Sequence, residues 1–228
     1  MIRVVGLTKT YGHGGAQTRA LKEVSLEIGQ GESVAIVGPS GCGKTTLLNV
    51  LAGIEPMDEG QVWIGDAALH AMSEKDISRL RLERMGFVFQ SYHLVPVLSA
   101  LDNVALPLVA RGIRQSEANR RARESLGRVG LSEYVKRYPA ELSGGQNQRV
   151  AIARAIVGKP DILWADEPTG ALDSEAAEQI VGLLAMLNKH DGTTVVTVTH
   201  DSGVASLADR TIRLHNGRVI HDGGAVRC

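Results

Sequence analysis

The stretch GPSGCGKTT, residues 38–46, matches the pattern G-x-x-x-x-G-K-[ST] at every fixed position. It follows the apolar run SVAIVG and precedes residues 44–52, whose composition predicts a helix. A strand, a glycine-rich loop and a helix in this order form a loop whose backbone N–H groups surround phosphate oxygens. A chance glycine-rich turn, the alternative, does not explain the flanking strand and helix. The stretch therefore predicts an α/β fold with a phosphate site.

This phosphate loop, residues 38–46, has parts with separate expected tasks. Its glycines let the backbone wrap around the phosphates, and the helix N-terminus adds positive potential. Lys44 is expected to reach the β- and γ-phosphates of a nucleotide, and the Thr45 hydroxyl to bind Mg²⁺. The loop residues assigned to the nucleotide site are Gly38, Pro39, Ser40, Gly41, Cys42, Gly43, Lys44, Thr45 and Thr46.

Charge and hydropathy exclude several classes of protein. Lys and Arg together number 25, as do Asp and Glu, so the formal net charge is zero. This balance argues against a nucleic-acid binder held mainly by phosphate electrostatics. The N-terminus lacks a signal layout, and no apolar run approaches the length that spans a bilayer. We therefore expect a soluble chain that needs another polypeptide to work in a membrane.

The two cysteines, Cys42 and Cys228, lie far apart in the sequence. A structural disulfide between them is not expected, and a reducing cytosol fits this composition. Cys42 lies inside the phosphate loop, where two interpretations stay open. It is a small filler residue, or its thiol is made reactive by the helix N-terminus.

Short β-type runs alternate with helical stretches along most of the chain, and helices are predicted over residues 44–52, 74–84, 117–129, 146–157 and 174–189. This alternation predicts one domain, residues 1–228, with an α/β core and a mostly parallel sheet. Residues 73–158 are mostly helical in pattern and are predicted to form an insertion between the core segments 1–72 and 159–228. The runs SLEIGQGESV and TIRLHNGRVIHDGG are predicted to be short antiparallel strands.

The run ILWADEP, residues 162–168, is an apolar strand that ends in two carboxylates. Asp166 could hold Mg²⁺ through water, and Glu167 could polarise an attacking water. Because neighbouring side chains on a regular strand point to opposite faces, two such roles require an irregular strand end. The alternative is a surface acidic pair before a proline turn.

The run LSGGQNQRVAIARA, residues 142–155, has the form of a second anion-binding helix start. We call its first five residues, 142–146, the signature motif. In chain order the sequence holds the phosphate loop, FQ at residues 89–90, the signature motif, ILWADEP, ALD at residues 171–173, and His200. This order and spacing resemble the nucleotide-binding subunit of ABC transporters over essentially the whole chain. The resemblance implies a P-loop NTPase core, of the RecA-like type, with an N-terminal antiparallel β-subdomain and an inserted helical subdomain. It also implies that the range 73–158 carries both the Gln90 loop and the signature motif.

The resemblance implies further site residues. Tyr11 would stack on adenine, although a core tyrosine at a strand end is the alternative. Gln90 would touch Mg²⁺ and the attacking water and sense a membrane subunit. His200 would contact the γ-phosphate and orient the water, and Asp173 would communicate across a dimer. Glu167, His200, Gln90 and Lys44 are the expected catalytic residues, and Thr45, Gln90 and Asp166 the expected metal ligands.

The implied assembly is a head-to-tail dimer of two copies around two ATP molecules. The signature residues Ser143, Gly144, Gly145 and Gln146 would contact the nucleotide held by the partner's phosphate loop. A groove beside Gln90 would receive a helix of an integral membrane permease. Its expected apolar surface is Leu94, Val95, Val97 and Leu98, although some of these residues would fit the subdomain core instead.

The residues around Gly170, TGALD at 169–173, resemble those of the macrolide-exporter and lipoprotein-release branch of the family. Asn147 departs from the residues often seen there and is expected to affect catalysis little. The implied function is an ATPase at the cytoplasmic face of the inner membrane that powers export, lipoprotein release or mechanotransmission. The alternatives are a soluble ABC ATPase acting on ribosomes or DNA, a division-associated regulator, and a module that holds ATP without turnover.

Overall fold

The computed structural model describes residues 1–12 and 17–224, so the expectation for Cys228 falls outside the described residues. In this part of the chain ten strands form two sheets. The strands are β1 (Ile2–Tyr11), β2 (Thr18–Ile28), β3 (Ser33–Val37), β4 (Glu59–Ile64), β5 (Ala67–Ala68), β6 (Met85–Phe89), β7 (Ile162–Asp166), β8 (Thr194–Thr199), β9 (Arg210–His215) and β10 (Arg218–Gly224).

The larger sheet has six strands in the order β10-β9-β3-β8-β7-β6. All neighbouring pairs are parallel except β9 and β10, which form an antiparallel hairpin. Two buried clusters cover its faces: Ile162 and Trp164 of β7 face one cluster, while Leu163 and Ala165 face the other. A parallel strand buried on both faces needs such a continuous apolar run. The predicted mostly parallel core is therefore confirmed.

The smaller sheet has the order β2-β1-β4-β5 and is antiparallel throughout. It is the predicted N-terminal antiparallel subdomain. The run SLEIGQGESV does not behave as one antiparallel unit, however. Its first half ends β2 in the small sheet, whereas its last residues start β3, which is parallel in the large sheet. The reason is burial, because Val34, Ala35 and Ile36 are fully buried and need cover on both faces.

Seven α-helices occur in the described residues: α1 (Lys44–Leu51), α2 (Glu74–Arg84), α3 (Ala100–Ala110), α4 (Gln115–Arg128), α5 (Gly144–Ile156), α6 (Ser174–Asp191) and α7 (Ser202–Ala205). Five of them lie close to the predicted ranges. The sequence did not predict α3, whose start is capped by Ser99 through a bond from the Asp102 N–H, 3.2 Å. None of these helices combines the length and apolar character that a membrane crossing requires.

The range 73–158 is not wholly a helical insertion. Helices α3, α4 and α5 pack on one another through buried residues such as Val104, Leu108, Leu126 and Val150. Strand β6, within the same range, instead pairs with β7 as an edge of the core sheet. The chain therefore returns to the core between α2 and α3, and this return places Gln90 directly after a core strand.

Candidate nucleotide site

Four parallel strands end at one edge of the large sheet. The register pairs Phe89 with Asp166, Asp166 with Val198, and Val37 with Thr199. Gly38, Gln90, Glu167 and His200, each the next residue after its strand, therefore follow strands that end level with one another. Ligands of open α/β sheets bind outside the carboxyl ends of the strands. Sequence positions far apart thus meet at this edge.

The phosphate loop curls around the ammonium group of Lys44. Nζ donates to the carbonyl oxygens of Gly38, 2.8 Å, and Pro39, 3.1 Å, and the residue is only 8% exposed. Gly41 and Gly43 have φ angles of 75° and 105°, which glycine adopts without steric cost. Gly43 is the N-cap of α1, so the loop ends at a helix N-terminus. The loop thus holds a cation at the centre of an exposed turn of backbone.

Thr45 and Asp166 bring two hard oxygen donors together. The Thr45 Oγ1 donates to Asp166 Oδ1 over 3.2 Å. Burial raises the pKa of Asp166 above its usual value and outweighs the opposing hydrogen bond from Thr45 and charge of Lys44, while Glu167 raises it further. Among the described residues no cluster of three or more His, Cys, Asp or Glu side chains could hold a metal. This donor set fits Mg²⁺, which binds through one or two carboxylates and takes its other ligands from phosphates and water.

Glu167 leaves the path of β7. Its φ is 48°, in the left-handed region that non-glycine residues rarely occupy. Its N–H still donates to the Val198 carbonyl, 2.9 Å. The regular strand therefore ends at Asp166, and the irregular strand end that two different carboxylate roles require is present.

The Glu167 carboxylate has two side-chain partners from the end of β8. His200 Nδ1 lies 2.8 Å from Oε1, and Thr199 Oγ1 donates to Oε2 over 3.4 Å. The His200 side chain is 70% exposed and that of Glu167 only 18%. A half-buried carboxylate oriented by an imidazole is an arrangement suited to accept a proton from water. Thr199 was not predicted, although it directly precedes His200 in the sequence.

Tyr11 lies at the end of β1, beside the phosphate loop. Its hydroxyl donates to Glu55 and lies 3.4 Å from Thr46 Oγ1. Burial and the Glu55 carboxylate raise the pKa of Tyr11 above its usual value. Because Tyr11 is 40% exposed, the alternative of a core tyrosine does not hold. Glu55, also a partner of Asn49, was not predicted from the sequence.

The signature motif lies at the start of α5. Ser143 Oγ accepts from the Gln146 N–H, 3.3 Å, and Gln146 Oε1 accepts from the Ser143 N–H, 2.9 Å. This reciprocal capping box leaves Ser143 and Gly144 exposed. Gln146, expected at the nucleotide, thus has its side-chain carbonyl engaged within its own helix start.

The signature motif lines a cavity separate from the phosphate loop. This cavity, about 510 Å³, also contains Asp173, whose Oδ1 accepts from the Ala176 N–H, 2.8 Å, at the start of α6. Gly38, Pro39 and His200 line another cavity of about 530 Å³ with no residue in common. Within the described residues, Ser143 forms no hydrogen bond to the phosphate loop. One chain therefore presents two helix starts of the predicted anion-binding form at two different places.

A family model described as "ABC transporter" matches residues 21–170. The chain belongs to the ABC transporter family. The family match confirms the predicted resemblance to the nucleotide-binding subunits of ABC transporters. The predicted ATPase cassette fold is confirmed by the solved structure described below.

Three relatives illustrate the match. The chain is 44% identical to the "Lipoprotein-releasing system ATP-binding protein LolD" of Bordetella avium, covering 96% of this chain and 95% of LolD. It is 42% identical to the "Macrolide export ATP-binding/permease protein MacB" of Pasteurella multocida, but spans only 35% of the length of MacB. A solved dimer of the cassette MJ0796 from Methanocaldococcus jannaschii, bound to ADP and Pi, superposes with TM-score 0.91 at 42% identity over all of both chains.

Cys42 of this cassette is buried within the phosphate loop, with only 5% exposure, and its sulfur lies beside Gly38. Burial limits access of a reagent, so the small-filler interpretation has more support than the reactive thiol. Asn147 is also buried and donates from Nδ2 to the carbonyl oxygens of Pro139, 3.0 Å, and Leu142, 3.2 Å. It therefore holds the chain that leads into the signature motif.

Proposed function

We propose that two copies of this ATPase close on two ATP molecules and drive a separate membrane subunit in export, lipoprotein release or mechanotransmission. The observation that carries the proposal is the separation of the phosphate loop from the signature motif within one chain. A second exposed helix start, separate from the chain's own phosphate loop, suits a nucleotide held by another copy. The MJ0796 cassette, dimeric with ADP and Pi, supports this arrangement.

The chain's residues would bind ATP as follows. Tyr11, beside Thr46, offers an exposed ring for the adenine. The loop N–H groups and the α1 N-terminus take the β- and γ-phosphates. Lys44, held by the carbonyls of Gly38 and Pro39, exchanges these partners for phosphate oxygens. The loop therefore keeps the ammonium group of Lys44 at its centre before the nucleotide arrives.

Thr45, Asp166 and Gln90 would hold Mg²⁺. When bound, the ion neutralises charge on the β- and γ-phosphates. Thr45 contributes its hydroxyl and Asp166 its carboxylate, the pair already 3.2 Å apart. Gln90 contributes a side-chain oxygen from the loop after β6. These residues need no rearrangement of the core sheet to do so.

Hydrolysis would depend on the Glu167–His200 pair. Glu167 accepts a proton from water while the water oxygen bonds to the γ-phosphorus. The bond from the γ-phosphorus to its bridging oxygen breaks, and ADP keeps that bonding electron pair. His200, exposed beside Glu167, holds the carboxylate in place through Nδ1 and would contact the γ-phosphate through its other ring nitrogen. ADP and inorganic phosphate are the products.

The second copy would complete the site through Ser143, Gly144 and Gly145. Their hydroxyl and N–H groups, at an exposed helix N-terminus, would contact the γ-phosphate from the opposite side. Losing the γ-phosphate removes the group that both copies share. ATP therefore favours the closed dimer because it binds that state better, and hydrolysis reopens it.

A membrane partner would dock beside the Gln90 loop. A cavity of about 490 Å³ lies there, lined by residues that include Phe87, Phe89, His93 and Pro107. Leu94 packs on the helical core, as the alternative interpretation expected, whereas Val97 is 79% exposed. Exposed apolar surface in the segment that follows Gln90 suits a helix of a permease. Such docking would place the cassette at the cytoplasmic face of the inner membrane.

Two measurements test the proposal. Glu167→Gln should elute as a dimer with ATP and Mg²⁺, and Glu167→Gln with Ser143→Arg as a monomer. Coexpressed membrane subunit should co-purify with wild type and lose the cassette on Val97→Asp. Val5→Asp, at a 47% exposed position on the small sheet, is the matched control. A monomeric Glu167→Gln protein with ATP would contradict dimerisation, and equal capture by both valine variants would contradict docking at the groove.

A further inference from the structure

Gln90 lies against a glycine in the loop that follows Glu167. A Cβ atom placed on Gly170 would lie 2.9 Å from Gln90 Nε2 and 3.1 Å from Gln90 Cδ. Gln90 is exposed, and its side chain makes no hydrogen bond to another described residue. Its amide therefore occupies space that exists only because position 170 has no side chain.

A second residue holds the two loops at this spacing. Gln148 of α5 is fully buried, and its Nε2 donates to the carbonyl oxygens of Phe89, 3.3 Å, and Pro168, 2.5 Å. Phe89 directly precedes Gln90, and Pro168 directly follows Glu167. One side-chain amide thus joins the backbone next to each of these two residues. A buried amide that donates to two carbonyl oxygens keeps both loops in place, because moving either loop away would break a buried hydrogen bond.

We propose that Gly170 and Gln148 are positioning residues that set where the Gln90 amide lies relative to Glu167. The inference rests on the proposed role of Gln90 at the nucleotide, and these two residues would keep its side chain in place there. Gly170 supplies the space, and Gln148 supplies the fixed distance between the two loops. Gln148 lies on α5, the helix whose N-cap is Ser143. A ligand bound at the start of α5 could therefore affect the position of Gln90 through this one helix.

Gly170→Ala is the decisive variant. Gly170 does not have a left-handed φ, so alanine fits its backbone, and the crowded atoms belong to the flexible end of an exposed side chain. The variant should fold and displace only Gln90. Since misplacement of a catalytic group by about 1 Å costs up to about a hundredfold, we expect kcat to fall about tenfold with KM for ATP nearly unchanged. Gly182→Ala, on α6 with no atom within 4 Å of the added Cβ, is the matched control.

A double-mutant cycle separates positioning through Gln90 from a general effect. In a Gln90→Ala background, Gly170→Ala should lower kcat no further. In the nucleotide-free protein, the Gln90 side-chain amide resonance should shift in Gly170→Ala and stay in place in Gly182→Ala. Gln148→Met, of similar length without the donor, should shift the same resonance. If Gln148→Met fails to fold, the Gly170→Ala cycle decides alone.

The results that would contradict these proposals differ from one another. An unshifted Gln90 resonance, or an equal loss of kcat in the Gln90→Ala background, overturns the positioning inference. Wild-type turnover in Gln90→Ala itself overturns the proposed role of Gln90. The two failures are therefore distinguishable.

Discussion

Ser143→Asp separates the helix cap that Ser143 forms in the structure from the phosphate contact that we propose for the same hydroxyl. Ser143 caps α5 within its own chain, and the proposed dimer also places it at the partner's γ-phosphate. Aspartate caps helices about as well as serine, so α5 should keep its start. The same carboxylate would bring a negative charge to the place proposed for the γ-phosphate. The substitution should thus leave the fold intact and prevent closure.

The expected effects on thermal stability and on dimerisation differ enough in size to be measured separately. Loss of the cap in Ser143→Ala costs about 1 kcal/mol, and such a loss lowers Tm by about 2–4 °C in a chain of this size. Ser143→Asp should keep Tm within about 2 °C of wild type because the cap is conserved. Two unit charges about 4 Å apart repel by about 4 kcal/mol at an effective dielectric constant of about 20. That repulsion corresponds to about a thousandfold weaker dimerisation for each of the two sites, so closure of the dimer should be lost.

The assay is sedimentation of Glu167→Gln protein with ATP, with and without each Ser143 substitution. Ser143→Asp should stay monomeric at concentrations where the parent is dimeric, and higher salt should partly restore dimers through screening. Thermal unfolding without nucleotide supplies the matched stability measurement. Equal dimerisation of Ser143→Asp and its parent would refute the placement of this helix start at a phosphate.

Three further predictions concern the chain's own site. Glu167→Gln should lower kcat about 10²–10⁴-fold in a phosphate-release assay, while Glu59→Gln, at an exposed position of β4, keeps wild-type turnover; similar kcat for both variants would count against the base. Lys44→Ala should lose ATP affinity in equilibrium binding, because the loop loses its central cation; unchanged affinity would contradict the phosphate-loop assignment. Cys42 should react slowly with a thiol reagent in the folded protein and rapidly after unfolding, since it is 5% exposed. Rapid labelling of the native protein would restore the reactive-thiol interpretation.

Local patterns in the sequence predicted the parts of the site that are local in the chain. The phosphate loop, the capped start of α5 and the carboxylates at the end of β7 each depend on a strand or helix beside them. Helix α3 was not predicted, because the run VALPLVA contains Pro107 and fits any buried element. Its capping pair, Ser99 and Asp102, was the available signal.

The remaining features depend on contacts between distant residues. Strand β3 follows β2 after a short turn, but its partners β8 and β9 lie far along the chain. Gln148 contacts Phe89 from 59 positions away, and Gly170 meets Gln90 only after the sheet has brought β6 beside β7. No local periodicity or motif in the sequence predicts which of these distant residues come into contact. The register of the parallel sheet determines it.

The central claim is that each ATP site combines one chain's phosphate loop with the other chain's signature motif. Two copies joined by a flexible linker test it directly. With Ser143→Arg in one half and Lys44→Ala in the other, one combined site stays intact, so ATP hydrolysis should persist. With both substitutions in the same half, each site loses one of its parts, so hydrolysis should fall to background. The reverse order of activity, with hydrolysis only when both substitutions share a half, would contradict the account.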